Sequence, residues 1–312
     1  MSASAIDTRG LTKYYGPVVG VESLSLEVAQ GEVFGFLGAN GAGKTTTIRM
    51  LLDLVRPTSG EASILGFNCQ RQGLEARRRV GYLPGEMPFY PELTGARYLS
   101  FLSSLGPVRP SPGRIEFLLR RFDVSDLDLK RRMRDYSHGM KRKLGLIQAL
   151  MTDAPVLILD EPTSGLDPLM IEAFAETVDE LARSGKTTVF LSSHILSEVE
   201  RICQRIGLVR GGRLVAVRTL SELRAAAPRR MTVLFSAAVN GEMPHFTGAT
   251  LVTREPARWV IDVQGPLGDI IPRLANLPVA DVQLSAFTLE EFILRFLSEH
   301  PASHRVGETG QS

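Results

Sequence analysis

Three glycines, a lysine and a threonine fall at a telling spacing in Gly38-Ala39-Asn40-Gly41-Ala42-Gly43-Lys44-Thr45, a complete G-x-x-x-x-G-K-[ST] pattern. Glycines at these positions let the backbone curl round an anion and aim successive N–H groups at it. A helix beginning at the lysine adds its positive end to the same point. The pattern needs a strand before it and a helix after it. Glu32-Val33-Phe34-Gly35-Phe36-Leu37 is an apolar run that predicts the strand, and Thr45–Leu52 carries apolar residues at helical spacing. The expected ligand is a nucleoside triphosphate, here ATP, with the segment from Gly38 through Asn40, Gly41, Ala42 and Gly43 to Thr46 around its phosphates. Lys44 would reach the β- and γ-phosphates, and Thr45 would place its hydroxyl on Mg²⁺.

A second chemical stretch is Val156-Leu157-Ile158-Leu159-Asp160-Glu161-Pro162. Four apolar residues predict a buried strand that ends in two carboxylates. Asp160 at the strand's end can hold Mg²⁺, and Glu161 can act as general base on the attacking water or orient it. Thr188-Val189-Phe190-Leu191-Ser192-Ser193-His194 predicts another buried strand delivering a histidine, and ligand contacts gather at such strand ends in α/β sheets. Lys13-Tyr14-Tyr15-Gly16 places an aromatic beside a glycine turn, where it can either pack or stack on a base.

The elements that must hold these residues follow from the pattern around them. Val18-Val19-Gly20-Val21 and Leu24–Val28 read as two short strands, residues 57–67 as a turn and strand, and Val80–Pro84 as a further strand. From Leu93 to about Leu150 the spacing turns helical, with breaks at Gly106-Pro107 and Pro110–Gly113. At 312 residues the chain has room for a large and a small folding unit. Basic and acidic residues number 36 and 34, so no strong field recruits nucleic acid or an anionic membrane. The clusters Arg77–Arg79, Lys130–Arg132 and Lys141-Arg142-Lys143 read as solvated helix faces. Cys69 and Cys203 are far apart, which fits a reduced cytosolic protein without disulfides. Residues Met1–Asp7 show no leader pattern, and no apolar run reaches the length of about 18 residues that spans a bilayer.

Between the two stretches lies Tyr136-Ser137-His138-Gly139-Met140-Lys141-Arg142-Lys143. With it, residues 5 to about 220 resemble the nucleotide-binding subunit of ATP-binding cassette (ABC) transporters. The segment is similar to the family's signature, usually Leu-Ser-Gly-Gly-Gln, with His138 for the first glycine and Met140 for the glutamine. Ser137 capping a helix next to Gly139 makes a second anion site. The resemblance implies an α/β P-loop NTPase fold: a parallel core sheet, an N-terminal antiparallel β-subdomain and an α-helical subdomain at about 87–152. It also implies that Ser137 and Gly139 face the γ-phosphate held by a second subunit, through a homodimer or pairing with a similar chain. Ser164-Gly165-Leu166-Asp167 resembles the loop crossing that interface, His194 the switch histidine, and Tyr15 the adenine-stacking aromatic. The glutamine expected after Tyr82-Leu83-Pro84 is Gly85, which makes Glu86 the candidate to touch Mg²⁺ there.

From Thr219 onward, Met231–Phe235, Thr250–Thr253 and Trp259–Val263 read as strands and Gly268–Leu274 as a short helix. Thr288-Leu289-Glu290-Glu291 reads as a capping box stapled by Phe287 and Phe292, opening a helix whose face is Leu289, Phe292, Ile293 and Phe296. Residues 221–300 thus form a small α+β extension, similar to that of drug- and antibiotic-export ATPases, and 301–312 a disordered tail. The function the resemblance implies is ATP hydrolysis driving a separate ABC permease in an exporter, at the cytoplasmic face of the cell membrane. Two other readings stay open: a regulatory module that binds ATP with weak hydrolysis, and an ABC-type ATPase acting on nucleic acid. Against the second, no sustained heptads and no cysteine pairs lie between Lys44 and Ser137.

Overall fold

A computed structural model of the protein describes residues 4–87, 90–106, 109–239, 248–265, 267–286, 291 and 293. The chain divides into two compact units, one ending at Arg218 and one beginning at Thr219.

In the first unit, β1 (Ser4–Tyr15) and β2 (Val18–Ala29) pair antiparallel. Leu24, Leu26 and Val28 alternate with exposed or half-buried neighbours, as one buried face demands. The two short runs expected here are one strand. Ser23, at φ 48°, sits at the register shift between Leu11↔Leu24 and Lys13↔Val21, and this bulge is why the pattern reads as broken. Next come β3 (Val33–Leu37), α1 (Lys44–Leu51), β4 (Ser59–Ile64), β5 (Phe67–Asn68), α2 (Gly73–Arg77) and β6 (Val80–Leu83). β4 and β5 complete a four-stranded sheet in the order β2-β1-β4-β5.

The helical stretch is α3 (Gly95–Leu105), α4 (Pro112–Arg121), α5 (Asp126–Lys130) and α6 (His138–Leu150). Side-chain oxygens of Thr94, Ser111, Ser125 and Ser137 cap the four. β7 (Val156–Asp160), α7 (Pro168–Ser184), β8 (Thr188–Ser193), α8 (Leu196–Ile202), β9 (Arg205–Arg210) and β10 (Arg213–Thr219) follow. The central sheet runs β10-β9-β3-β8-β7-β6, with β9, β3, β8, β7 and β6 parallel. β3, β7 and β8 are buried at every residue, which is why they read as unbroken apolar runs. Phe190 stacks on Phe34 and tilts against Phe36 at the centre of the core. Among the described residues, no helix is long and apolar enough to cross a membrane.

The second unit holds α9 (Leu220–Ala226), β11 (Arg229–Phe235), β12 (Ala249–Glu255), β13 (Arg258–Val263), α10 (Ile271–Leu274) and β14 (Val279–Ala286), with an antiparallel sheet in the order β12-β13-β11-β14. Trp259 is fully buried and meets Phe235 edge-on at 4.8 Å. The helix expected at Gly268–Leu274 is confined to its last turn. β14 was not foreseen, because Val282 and Leu284 stand exposed on an edge strand with little alternation to betray it. Of the expected capping-box helix only Glu291 and Ile293 are described, both helical; its remaining residues and the tail 301–312 lie outside the described residues.

Candidate nucleotide-hydrolysis site

Parallel packing ends β3, β7 and β8 at one edge of the sheet, and the candidate residues sit there. β3 can approach its neighbours because Gly35 has no side chain: a Cβ would fall 2.6 Å from Val199 Cγ1 and 2.8 Å from Cys203 Sγ on and beside α8. The loop after β3 is equally tight. A Cβ on Gly38 would stand 2.4 Å from the Val209 carbonyl oxygen, and one on Gly43 2.5 Å from that of Gly20. Gly43 caps α1 at φ 102° and no side chain bonds the helix's first amides, so those N–H groups remain to meet an anion. Around Gly41, at φ 79°, there is open space. The loop is therefore a cradle with room only for glycine at Gly38 and Gly43 and with the first amides of α1 left at its mouth.

Lys44 is buried, yet its ammonium has three oxygen partners: the carbonyls of Gly38 at 2.7 Å and Ala39 at 3.3 Å, and Glu161 Oε1 at 3.2 Å. Thr45 Oγ1 donates to Asp160 Oδ2 over 2.8 Å, and Ser192 Oγ donates to the other carboxylate oxygen. Thr45 and Asp160 thus place two hard oxygen donors side by side. That fits Mg²⁺, which takes one or two protein oxygens and completes its shell with phosphates and water. Burial, and then the negative charge of Asp160, pushes the Tyr82 phenol above its ordinary value, with Arg49 opposing.

Glu161 Oε2 lies 2.8 Å from His194 Nδ1, so the carboxylate bridges Lys44 and His194. The Glu161 amide donates to the Ser192 hydroxyl and carbonyl, at 3.0 and 3.2 Å, and this holds the residue at φ 51°, the left-handed region. Tyr15 is half exposed and its ring covers Gly20, whose carbonyl oxygen faces Gly43; the Lys13 ammonium lies over the ring, 5.3 Å from its centroid. Ser137 Oγ accepts from the Met140 amide at 3.2 Å as the cap of α6. The positions around it are coupled: Gly165, at φ 79°, packs under the His138 imidazole, and a Cβ there would meet Cδ2 at 2.4 Å. His138 and Gly165 therefore accommodate each other.

Two expectations need revision. Glu86 is exposed and makes no hydrogen bond or ion pair with Thr45 or Asp160; the residue the backbone turns toward the carboxylate is Gly85, whose Cβ would stand 3.1 Å from Asp160 Oδ2. Lys141-Arg142-Lys143 is not uniformly a solvated face, because Arg142 is only 3% exposed. All five of its N–H donors meet backbone carbonyls: Nε that of Pro162 at 3.3 Å, Nη1 those of Pro84 at 2.8 Å and Gly85 at 3.2 Å, Nη2 those of Asp160 at 2.8 Å and Glu161. Burial lowers its pKa while Asp160 and Glu161 push it back up. A basic triplet gives no hint of which member turns inward. The small and apolar residues that share its helical face at i+3, i+4 and i+7 (Gly145, Leu146 and Ala149), all buried, were the available signal.

Comparison with known proteins shows the family of the chain. A family model described as ABC transporter matches residues 21–164. The chain is 39% identical to the bacitracin transport ATP-binding protein BcrA of Bacillus licheniformis over 213 residues, 68% of this chain and 69% of that protein. It is 36% identical to the daunorubicin resistance ATP-binding protein DrrA3 of Streptomyces coeruleorubidus over 310 residues, 96% of this chain and 98% of that one. A solved ATP-binding subunit of an ABC transporter superposes with a TM-score of 0.65 at 32% identity, covering 71% of this chain and 92% of that one. The dimeric cassette MJ0796 shares the fold, with a TM-score of 0.63 at 20% identity over 69% of this chain and 98% of its own. A phosphate cradle, an oxygen pair for a cation and a carboxylate held between lysine and histidine thus occur in a chain that belongs to the ABC transporter family, as an ATP-binding cassette ATPase.

Proposed function

We propose that this protein is the motor subunit of an exporter, hydrolysing ATP in a head-to-tail pair of cassettes to drive a separate membrane permease at the cytoplasmic face. The observation that carries the reading is the Glu161 carboxylate, within 3.2 Å of Lys44 and 2.8 Å of His194. Lys44 would turn its ammonium to the β- and γ-phosphates, and Tyr15 would stack on the adenine. Glu161 would take the proton from the attacking water while His194 fixes its orientation. Mg²⁺, held through Thr45 and Asp160, would supply neutralising charge for the phosphate oxygens. Ser137 and Gly139 of the second copy would close over the γ-phosphate with the amides of α6.

A groove of about 730 Å³ lined by Tyr82, Pro84, Met87, Tyr90, Tyr98 and Leu102 supports docking of the permease on the helical side of the cassette. Export of a drug-like or antibiotic cargo is supported by likeness to relatives named for bacitracin transport and daunorubicin resistance. One observation favours the reading of an ATP-binding regulatory module with weak hydrolysis: Gly85 offers no side chain to the cation site.

The deciding experiment measures ATP turnover and light-scattering mass, with and without ATP, for the wild type and Glu161→Gln. Turnover in the wild type, a loss of about 10²-fold or more in the variant and an ATP-dependent dimer of the variant support the motor. Equal turnover in both proteins removes Glu161 from the chemistry. ATP binding with neither turnover nor dimer favours the regulatory module.

A further inference from the structure

Arg142 carries more than the packing of its helix. A buried guanidinium is costly unless every donor is met, and here all five are met by main-chain oxygens from two separate loops. One end, Nη1, holds Pro84 and Gly85 just after β6, and Pro84 also lines the groove. The other end, Nη2, holds Asp160, the last residue of β7, and Glu161 just after it. The stem rises from α6, three residues beyond Gly139. One side chain therefore ties together the groove wall, the hydrolytic turn and the helix that the signature opens.

We propose that Arg142 is the positioning residue of the hydrolytic turn, fixing the Asp160-Glu161 backbone relative to the Pro84-Gly85 loop so that displacement of the groove wall is felt at Glu161. This rests on the reading of Glu161 as the residue that activates water. The donor count makes the arginine specific. Lysine offers three donors from a point charge and glutamine two, so neither can hold both loops as the fork does. Gly85 gives the requirement its force, since it packs against Asp160 with no side chain to anchor it, and Arg142 grips its carbonyl oxygen. The guanidinium makes no contact with phosphate-binding atoms in the cradle, so its loss should spare nucleotide affinity.

The test uses the full chain as wild type, Arg142→Lys and Arg142→Gln, with three readouts: ATP affinity by calorimetry, kcat and KM for ATP, and amide hydrogen exchange resolved over residues 80–87 and 156–164. The expected result for Arg142→Gln is a kcat lowered about 10- to 100-fold, ATP affinity within about threefold of wild type, and faster exchange in both segments together. Arg142→Lys should recover part of the rate and part of the protection. Unchanged kcat with unchanged exchange overturns the proposal, as does faster exchange confined to α6. Should the wild type hydrolyse no ATP, the motor reading falls while exchange in the two segments still decides whether Arg142 holds them. Should Arg142→Gln fail to fold, the lysine variant decides alone: protection and rate equal to wild type would overturn the requirement for the fork.

Discussion

Among the described residues, two buried aspartates have opposite character. Asp160 in the first unit is 1% exposed and Asp262 in the second 4%. Asp262 is neutralised in place by Arg230, with Nε 3.0 Å from Oδ1. Asp160 has no cation on its carboxylate among the described residues; its oxygens face the hydroxyls of Thr45 and Ser192. Both lie in strands, but Asp262 lies within an antiparallel sheet whose neighbour supplies the arginine, whereas Asp160 ends a parallel strand where loops converge. A carboxylate matched by its own fold is structural, and one surrounded by hydroxyls retains affinity for an external cation.

The largest effect expected is on chemistry. Asp160→Asn should lower ATP turnover by about 10² to 10³-fold and leave the melting temperature within a few degrees, measured by phosphate release and calorimetry. A variant that loses stability but keeps its rate would make Asp160 the structural member of the pair. Asp262→Ala should do the reverse. It removes the buried partner of Arg230, whose Nη1 still lies 3.8 Å from Glu291 Oε1, and should cost the second unit about 1–3 kcal/mol, a value reduced because the arginine is partly solvated, while turnover stays within about twofold. Gly85→Ala sharpens the contrast at finer scale: its methyl would press on Asp160 Oδ2 from 3.1 Å, and a several-fold drop in kcat at unchanged ATP affinity is expected. Smallest is the thiol response. Burial, then the charge of Asp53, pushes Cys69 up to about 12, and burial raises Cys203 likewise. Thiolate is the reactive form, so at pH 8 a thiol reagent should label neither cysteine in the native chain and both after denaturation.

The difference between the aspartates also marks what the sequence could reveal. Lys44, Thr45, Asp160 and the strands bearing them were legible because phosphate chemistry demands fixed spacing and parallel strands demand unbroken apolar runs. Asp262 passed unnoticed within Trp259–Val263, since pairing with Arg230 depends on a register that only folding sets. Arg142 was hidden for the same reason, as its partners are main-chain oxygens, which every residue has. His138 and Gly165 each look like separate deviations until the fold puts one against the other. Glu86 drew attention by its charge, yet the backbone turns Gly85, which has no side chain, toward Asp160.

The left-handed backbone at Glu161 has a consequence for any attempt to harden this protein against heat. A residue with a side chain pays about 1–2 kcal/mol for that conformation and glycine pays none. Glu161→Gly would release that strain but take the carboxylate from buried Lys44, and wherever the first effect outweighs the second a screen for survival at raised temperature alone would select a variant that, on the proposed reading, has lost its base. Thermostabilised lineages of this chain must be screened for turnover at every round, because at this one position the fold's preference and the chemistry's requirement point to different amino acids.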